Sequence, residues 1–144
     1  MTGQRRCPGT LMGGSMPNFI QFVTFKTSPF KVPDQATHNI HCTIESDILP
    51  LRDLDRSRDA VLAFNMKSSG SVHLTMQFNN SDNQFINNDF NSPDPDPTGP
   101  RVLQGIISGS DLKQNNNKLV ITAEAQGSGY VELSDFVLSY HVTA

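Results

Sequence analysis

Oxygen and amide side chains crowd one stretch of this sequence. Asn79, Asn80, Asp82, Asn83, Asn87, Asn88, Asp89, Asn91, Asp94 and Asp96 all fall between Phe78 and Pro97. Two kinds of chemistry draw on such a density. Calcium takes about six to eight oxygen ligands from carboxylates and carbonyls, and Asp89, Asp94 and Asp96 are the carboxylates expected to hold one. Amides and carboxylates also form paired hydrogen bonds with sugar hydroxyls, which nominates Asn79, Asn80, Asp82, Asn83, Asn87 and Asn88. The stretch lacks the fixed Gly and terminal Glu of an EF-hand loop. A solvated loop stiffened by its prolines explains the same composition and is the simpler reading. Long loops in compact domains are nonetheless often functional.

Asp47 to Asp59 is the second candidate segment. Arg52, Arg56 and Arg58 alternate there with Asp53, Asp55 and Asp59, so their field largely cancels. If the segment folds over one end of the molecule, Arg52, Arg56 and Arg58 are the guanidiniums expected to meet a carboxylate or a protein partner, Arg52 first among them. The histidines are His38, His41, His73 and His141. His38 and His41 have opposite parity in an extended chain and point to different faces, whereas zinc needs three or four converging ligands. No strand–turn–helix nucleophile elbow is present. No carboxylate occupies a core position where burial would raise its pKa for acid–base work. The reading is of a protein without catalytic residues.

The elements that must carry these residues are strands. Phe19 to Lys26 has apolar residues on both parities. Asn39 to Glu45 alternates Ile40, Cys42 and Ile44 against His41, Thr43 and Glu45. Ala60 to Lys67 and Val72 to Phe78 alternate around Ser68-Ser69-Gly70-Ser71, which predicts a hairpin. Phe85, Ile86 and Phe90 anchor the polar stretch or form a short strand within it. Arg101 to Ile107 is a further strand. Ser110 caps a brief helical turn to Lys113. Lys118 to Ala125 is a strand, Gln126 to Gly129 a turn. Tyr130 to Val142 changes parity across Ser134-Asp135, which predicts a bulge or a bend. Roughly seven to nine short strands with no sustained helical period indicate an all-β antiparallel sandwich.

The chain has 144 residues, 36% of them apolar, with nine Phe, two Tyr and no Trp. That is one domain's length, read as a flexible N-terminal tail over 1–17 and a single sandwich over 18–144. The net charge is −3, with no basic stripe of the kind nucleic acid needs. No apolar run reaches membrane-spanning length. The N-terminus has no apolar signal region as written, which is compatible with a mature secreted form and leaves the compartment open. Cys7 and Cys42 read as free thiols rather than a disulfide.

Residues 60–142 carry a further pattern. "AVLAFNMKSSGSVHLTMQFN" is followed by "SGSDLKQNNNKLVIT" and "GSGYVELSDFVLSY". Leu112, Lys113, Asn117, Leu119 and Ile121, then Val131, Leu133, Asp135, Phe136 and Leu138, resemble the jelly-roll domains with a galactose-binding-like fold. Such domains occur in carbohydrate-binding modules and as accessory domains of polysaccharide lyases. The resemblance implies a jelly-roll sandwich that binds sugar. It departs from the family in having no Trp to stack on a sugar face. The expected function is a non-catalytic ligand-binding module for carbohydrate, with calcium as its one expected ion. The alternative is an assembly subunit that binds itself or another protein through its sandwich. Exposed apolar strand residues would mark that alternative, and the mixed parity of Ile20, Phe22, Val23 and Phe25 points that way.

Overall fold

The structure, a computed structural model, describes residues 19–33, 40–48, 50–92 and 98–143. The expected tail, and with it Cys7, His38, Asp94 and Asp96, lies outside the described residues. Among the described residues, seven strands form one antiparallel sheet. They are β1 (Phe19–Phe25), β2 (Phe30–Val32), β3 (Ile40–Asp47), β4 (Ala60–Phe78), β5 (Ile86–Ser92), β6 (Thr98–Ile107) and β7 (Lys118–Val142).

Strands β4 and β7 organise the rest. They pair with each other nearly end to end, from Val61↔Ser139 to Phe78↔Leu119. Each is long enough to serve two half-sheets. In the first, the order is β1, the C-terminal half of β7, the N-terminal half of β4, then β6. In the second it is β3, the N-terminal half of β7, the C-terminal half of β4, then β5. Strand β2 pairs with the middle of β7.

Burial tells how the halves sit. Along β4, Ala60, Leu62, Phe64 and Met66 are buried, and so are Val72, Leu74, Met76 and Phe78. The same parity, and hence the same side of the ribbon, faces inward in both halves. Among the described residues no helix covers that side. A sheet can exclude water from one face without a covering layer only by folding onto itself, so the two half-sheets close over one contiguous core. Phe136 sits at the centre of its aromatic part, with ring centroids 5.0 Å from Phe64, 5.4 Å from Phe25 and 6.1 Å from Phe30. Such offset ring contacts contribute about 0.5–1.5 kcal/mol each beyond area burial.

The fold-over corrects the expected hairpin. Residues 60–67 do not pair with 72–78; both belong to β4, and Ser68–Ser71 is its corner. Gln126–Gly129 is likewise the corner of β7 and not a turn between separate strands. Ser and Gly clusters mark any sharp change of backbone direction, and a strand that crosses between packed sheets needs one as much as a hairpin does. Gly70 and Gly127 take positive φ, 71° and 62°. A Cβ on Gly129 would lie 2.7 Å from the Ser71 carbonyl oxygen. The register shifts by two extra residues of β7 at this level. The expected bulge at Ser134-Asp135 is present: the pairing slips between Ala63 and Asn65, and Asp135 has φ 54°. It moves the inward parity of β7 from Val131 and Leu133 to Phe136, Leu138 and Tyr140. The helical turn is a 3-10 turn over Gly109–Asp111 with Ser108, not Ser110, before it, and no side-chain cap bond forms.

Replacing Gly129 with Ala is expected to destabilise the fold by about 1–3 kcal/mol, because backbone and not a flexible side chain must give way. Gly127→Ala meets no atom within 4 Å and carries only the smaller penalty of its positive φ. Urea melts of the two variants check the difference; equal midpoints would contradict the close approach at the corner.

Candidate functional site

The two outer faces differ in chemistry. On the first half-sheet, Phe22, Ser139, Val61 and Ile106 stand in one row across four strands. Thr24, Val137, Ala63 and Gln104 form the next, and Asn65 and Val102 continue it. Ile20 precedes Phe22 on β1. Ile20 is 59% exposed, Phe22 67%, Val102 62% and Ile106 69%. Beyond Asn65 the face turns polar, with Lys31, Glu132 and Lys67 in register. Asn65 Nδ2 donates to Asp135 at 3.1 Å along the same border.

The second half-sheet's outer face is polar. Ser71, His73, Thr75 and Gln77 of β4 alternate outward there, opposite Asn91, Asp89 and Asn87 of β5. His73 Nδ1 and Asp89 Oδ1 are 2.6 Å apart, and Ser71 donates to Asn91 Oδ1 at 2.6 Å. His41, Glu124, His73 and Asp89 occupy one register row. Among the described residues no group of three or more His, Cys, Asp or Glu side chains is placed to hold a metal ion.

The amide-rich stretch is shorter as a loop than its composition suggests. Asn87, Asn88, Asp89 and Asn91 lie in β5, anchored by buried Ile86 and Phe90. Asn79 closes β4 in the left-handed region, φ 59°, where Asn is tolerated better than most residues. Its Nδ2 donates to the Asp111 carbonyl at 2.8 Å and to Asn117 Oδ1 at 3.1 Å; its Oδ1 accepts from the Lys118 amide at 2.9 Å. Asn117, fully buried, accepts from the Lys113 amide at 2.8 Å and donates back to the Lys113 carbonyl. Two amide side chains thus fix the backbones of Lys113 and Lys118. Asn83 donates to Asp111 Oδ2 at 3.0 Å, and Asn87 to Gln84 Oε1 at 3.1 Å. Asn80, Asp82 and Asn88 are exposed.

Three shallow depressions open near these residues. One of about 310 Å³ is lined by Phe78, Asn83, Gln84, Phe85, Asp111 and the rim residue Ile106. Phe85 stacks on Phe78 at 5.5 Å. A second, about 580 Å³, is lined by Gln77, Asn79, Asn80, Lys113, Asn116 and Lys118. The third, about 330 Å³, holds Arg52 with Pro50, Asp53, Gln114 and Asn115. Arg52 is therefore on the segment that packs along the 109–117 turn: Leu51 donates to Gln114 at 2.8 Å and Arg56 to the Ser110 carbonyl at 2.7 Å. Arg52 lines a different depression from Asn80 and Asn83.

Among the described residues, two groups are displaced from their ordinary pKa. Hydrogen bonds from the Ser57 hydroxyl and amide lower Asp55, and burial raises Tyr140. Neither lines a depression described above. What sequence reasoning missed is that Val102 and Ile106 share an outer face with Phe22, with two strands between them in the sheet. The alternation of 102, 104 and 106 carried that signal, but only the register brings β1 and β6 to one face. It also missed Gln84 with Phe85, and Lys113 as a residue whose backbone a buried amide holds.

No protein-family profile matches this sequence, and no curated protein matches it. Among solved structures, the chain is similar to dimeric latent PorU from Porphyromonas gingivalis, with a TM-score of 0.54 and 9% identity. The likeness covers 88% of this chain and 13% of that one; at this identity it concerns the β-sandwich fold alone.

Asn117→Ala is expected to cost about 2–3 kcal/mol, because the Lys113 amide and the Asn79 side chain lose buried partners. Thermal unfolding followed by circular dichroism checks this. A variant as stable as the parent would show that water replaces the amide at no cost.

Proposed function

We propose that this chain is a non-catalytic docking module that assembles with itself or with another protein through the outer face of its first half-sheet. The observation that supports this reading is the row Phe22, Val61 and Ile106 with Ile20 and Val102 beside it, four of the five more than half exposed. Solvent gives no reason to keep Phe, Ile and Val together on an open face, and contiguous exposed apolar patches mark interaction surfaces. Across four strands the row spans about 14 Å at a strand spacing of about 4.8 Å. That is the apolar centre of an interface rather than a whole one, since standard interfaces cover about 800 Å² per partner. The Lys31, Glu132 and Lys67 row supplies a polar border of the usual kind.

The test is Phe22→Ser combined with Ile106→Ser. Both side chains are exposed, so stability is expected to change by less than about 0.5 kcal/mol. Sedimentation over a range of concentrations is expected to show self-association in the parent and a monomer in the double variant. A parent that is monomeric throughout would leave only a different protein as partner. Equal recovery of partner proteins by parent and variant would then remove the docking reading altogether.

A second reading, carbohydrate binding, is favoured by one observation. Asn83, Gln84 and Asp111 line a single depression with Phe85, and an aromatic face beside amide and carboxylate groups is the chemistry that recognises a sugar ring. The galactose-binding-like resemblance over residues 60–142 belongs to this reading. Asn83→Ala is expected to lower signal on a glycan array without loss of fold. Running the array in calcium and again in EDTA tests the ion expected at Asp89, Asp94 and Asp96, of which Asp89 is engaged by His73.

A further inference from the structure

The 580 Å³ depression differs in charge from its neighbour. Lys113 and Lys118 line it with the amides of Gln77, Asn80 and Asn116, and among the described residues no carboxylate lines it. Asp47 stands in register opposite Lys118 on the adjacent strand, so Lys113 is the cation on which the argument rests. The site is held from beneath. Asn117 takes both the amide and the carbonyl of Lys113, and Asn79 takes the amide of Lys118 while its own amide nitrogen bonds Asn117. Asn116, the residue between, is fixed in the left-handed region at φ 62°. Donors whose backbone is fixed lose less entropy when they bind. The volume lies within the usual range of small-ligand sites, about 300–1,000 Å³.

We propose that this depression binds an acidic saccharide. A carboxylate or sulfate group lies against Lys113, and neighbouring hydroxyls meet the amides of Gln77, Asn80 and Asn116. A point cation supplies the charge-assisted bond, and amides, which both donate and accept, match hydroxyls. The inference rests on the carbohydrate reading for its hydroxyl-bearing frame and adds the anion and a different position on the surface.

Affinity electrophoresis of the full chain through gels containing polygalacturonate, dextran sulfate or plain dextran tests it. The parent is expected to be retarded by an acidic polymer and not by dextran. Lys113→Gln is expected to weaken that binding about tenfold, the loss of one charge-assisted hydrogen bond. Lys67→Gln, at another place on the surface, is expected to leave it unchanged. Retardation by only one acidic polymer supports the proposal and names the anionic group. Retardation by dextran that Lys113→Gln does not alter overturns it while the carbohydrate reading stands. Equal losses for Lys113→Gln and Lys67→Gln reduce the effect to general charge and also overturn it. No retardation by any polymer removes both.

Discussion

Gly70 and Gly129 meet where β4 and β7 turn together from one half-sheet into the other, with a Cβ built on Gly70 only 2.9 Å from the Gly129 Cα. Both strands must bend at the same level, because they remain paired on either side of the corner. If only one bent, the ladder would break and leave backbone groups without partners near the core. The extra residues of β7 at this point, facing Gly70, take up the difference in path length around the bend. The inward parity of β4 is preserved through the corner, so one apolar stripe, Ala60 to Phe78, lines both inner walls. That economy explains how a chain with 36% apolar residues encloses a core. Two strands contribute to every layer, and the shorter strands extend them at the edges.

The same ribbon then presents two different outer surfaces. Odd-numbered residues of β4 face outward on either side of the corner, but they read Val61, Ala63 before it and His73, Thr75, Gln77 after it. Their neighbours largely follow suit: Ile106 and Val137 flank the first group, with Phe22 one strand further out beyond Ser139, and Glu124, Asp89 and Asn87 flank the second. Sandwich folding requires neither choice, since an outward position is free to be polar. The polar half is what water selects. The apolar half is the departure, and it concentrates on one face instead of being scattered singly as surface apolar residues usually are.

The alternation of single segments was legible in the sequence, and so was the bulge at Ser134-Asp135, because parity along a strand is a local property. The all-β class followed from the absence of any helical period. The hairpin between 60–67 and 72–78 was misread because Ser and Gly signal a bend without saying whether the chain doubles back or continues into a second layer. That distinction depends on what pairs with each half, here β6 and β5 on one side and β7 on the other, and those partners lie up to 78 residues away in sequence. The apolar outer face was half legible: Ile20 and Phe22 stood out on their own strand, whereas Val102 and Ile106 gained meaning only from register.

The amide-rich stretch shows why density of a residue type is weak evidence for a ligand. Five described non-glycine residues adopt positive φ, and four are Asn or Asp: Asp53, Asn79, Asn116 and Asp135. These are places where a strand ends, bulges or turns, and short polar side chains relieve the cost of the left-handed conformation with local hydrogen bonds. Asn79 does so with every polar atom of its side chain, and Asn117 serves the Lys113 peptide from a fully buried position. Amides spent on backbone in this way have little left to offer a sugar. The more selective signal is what they hold in place. A cation kept beside exposed amides, in a depression with no carboxylate among its described lining residues, has an electrostatic preference that Asn residues alone lack, and that preference, not the number of Asn residues, separates a binding surface from a well-satisfied turn.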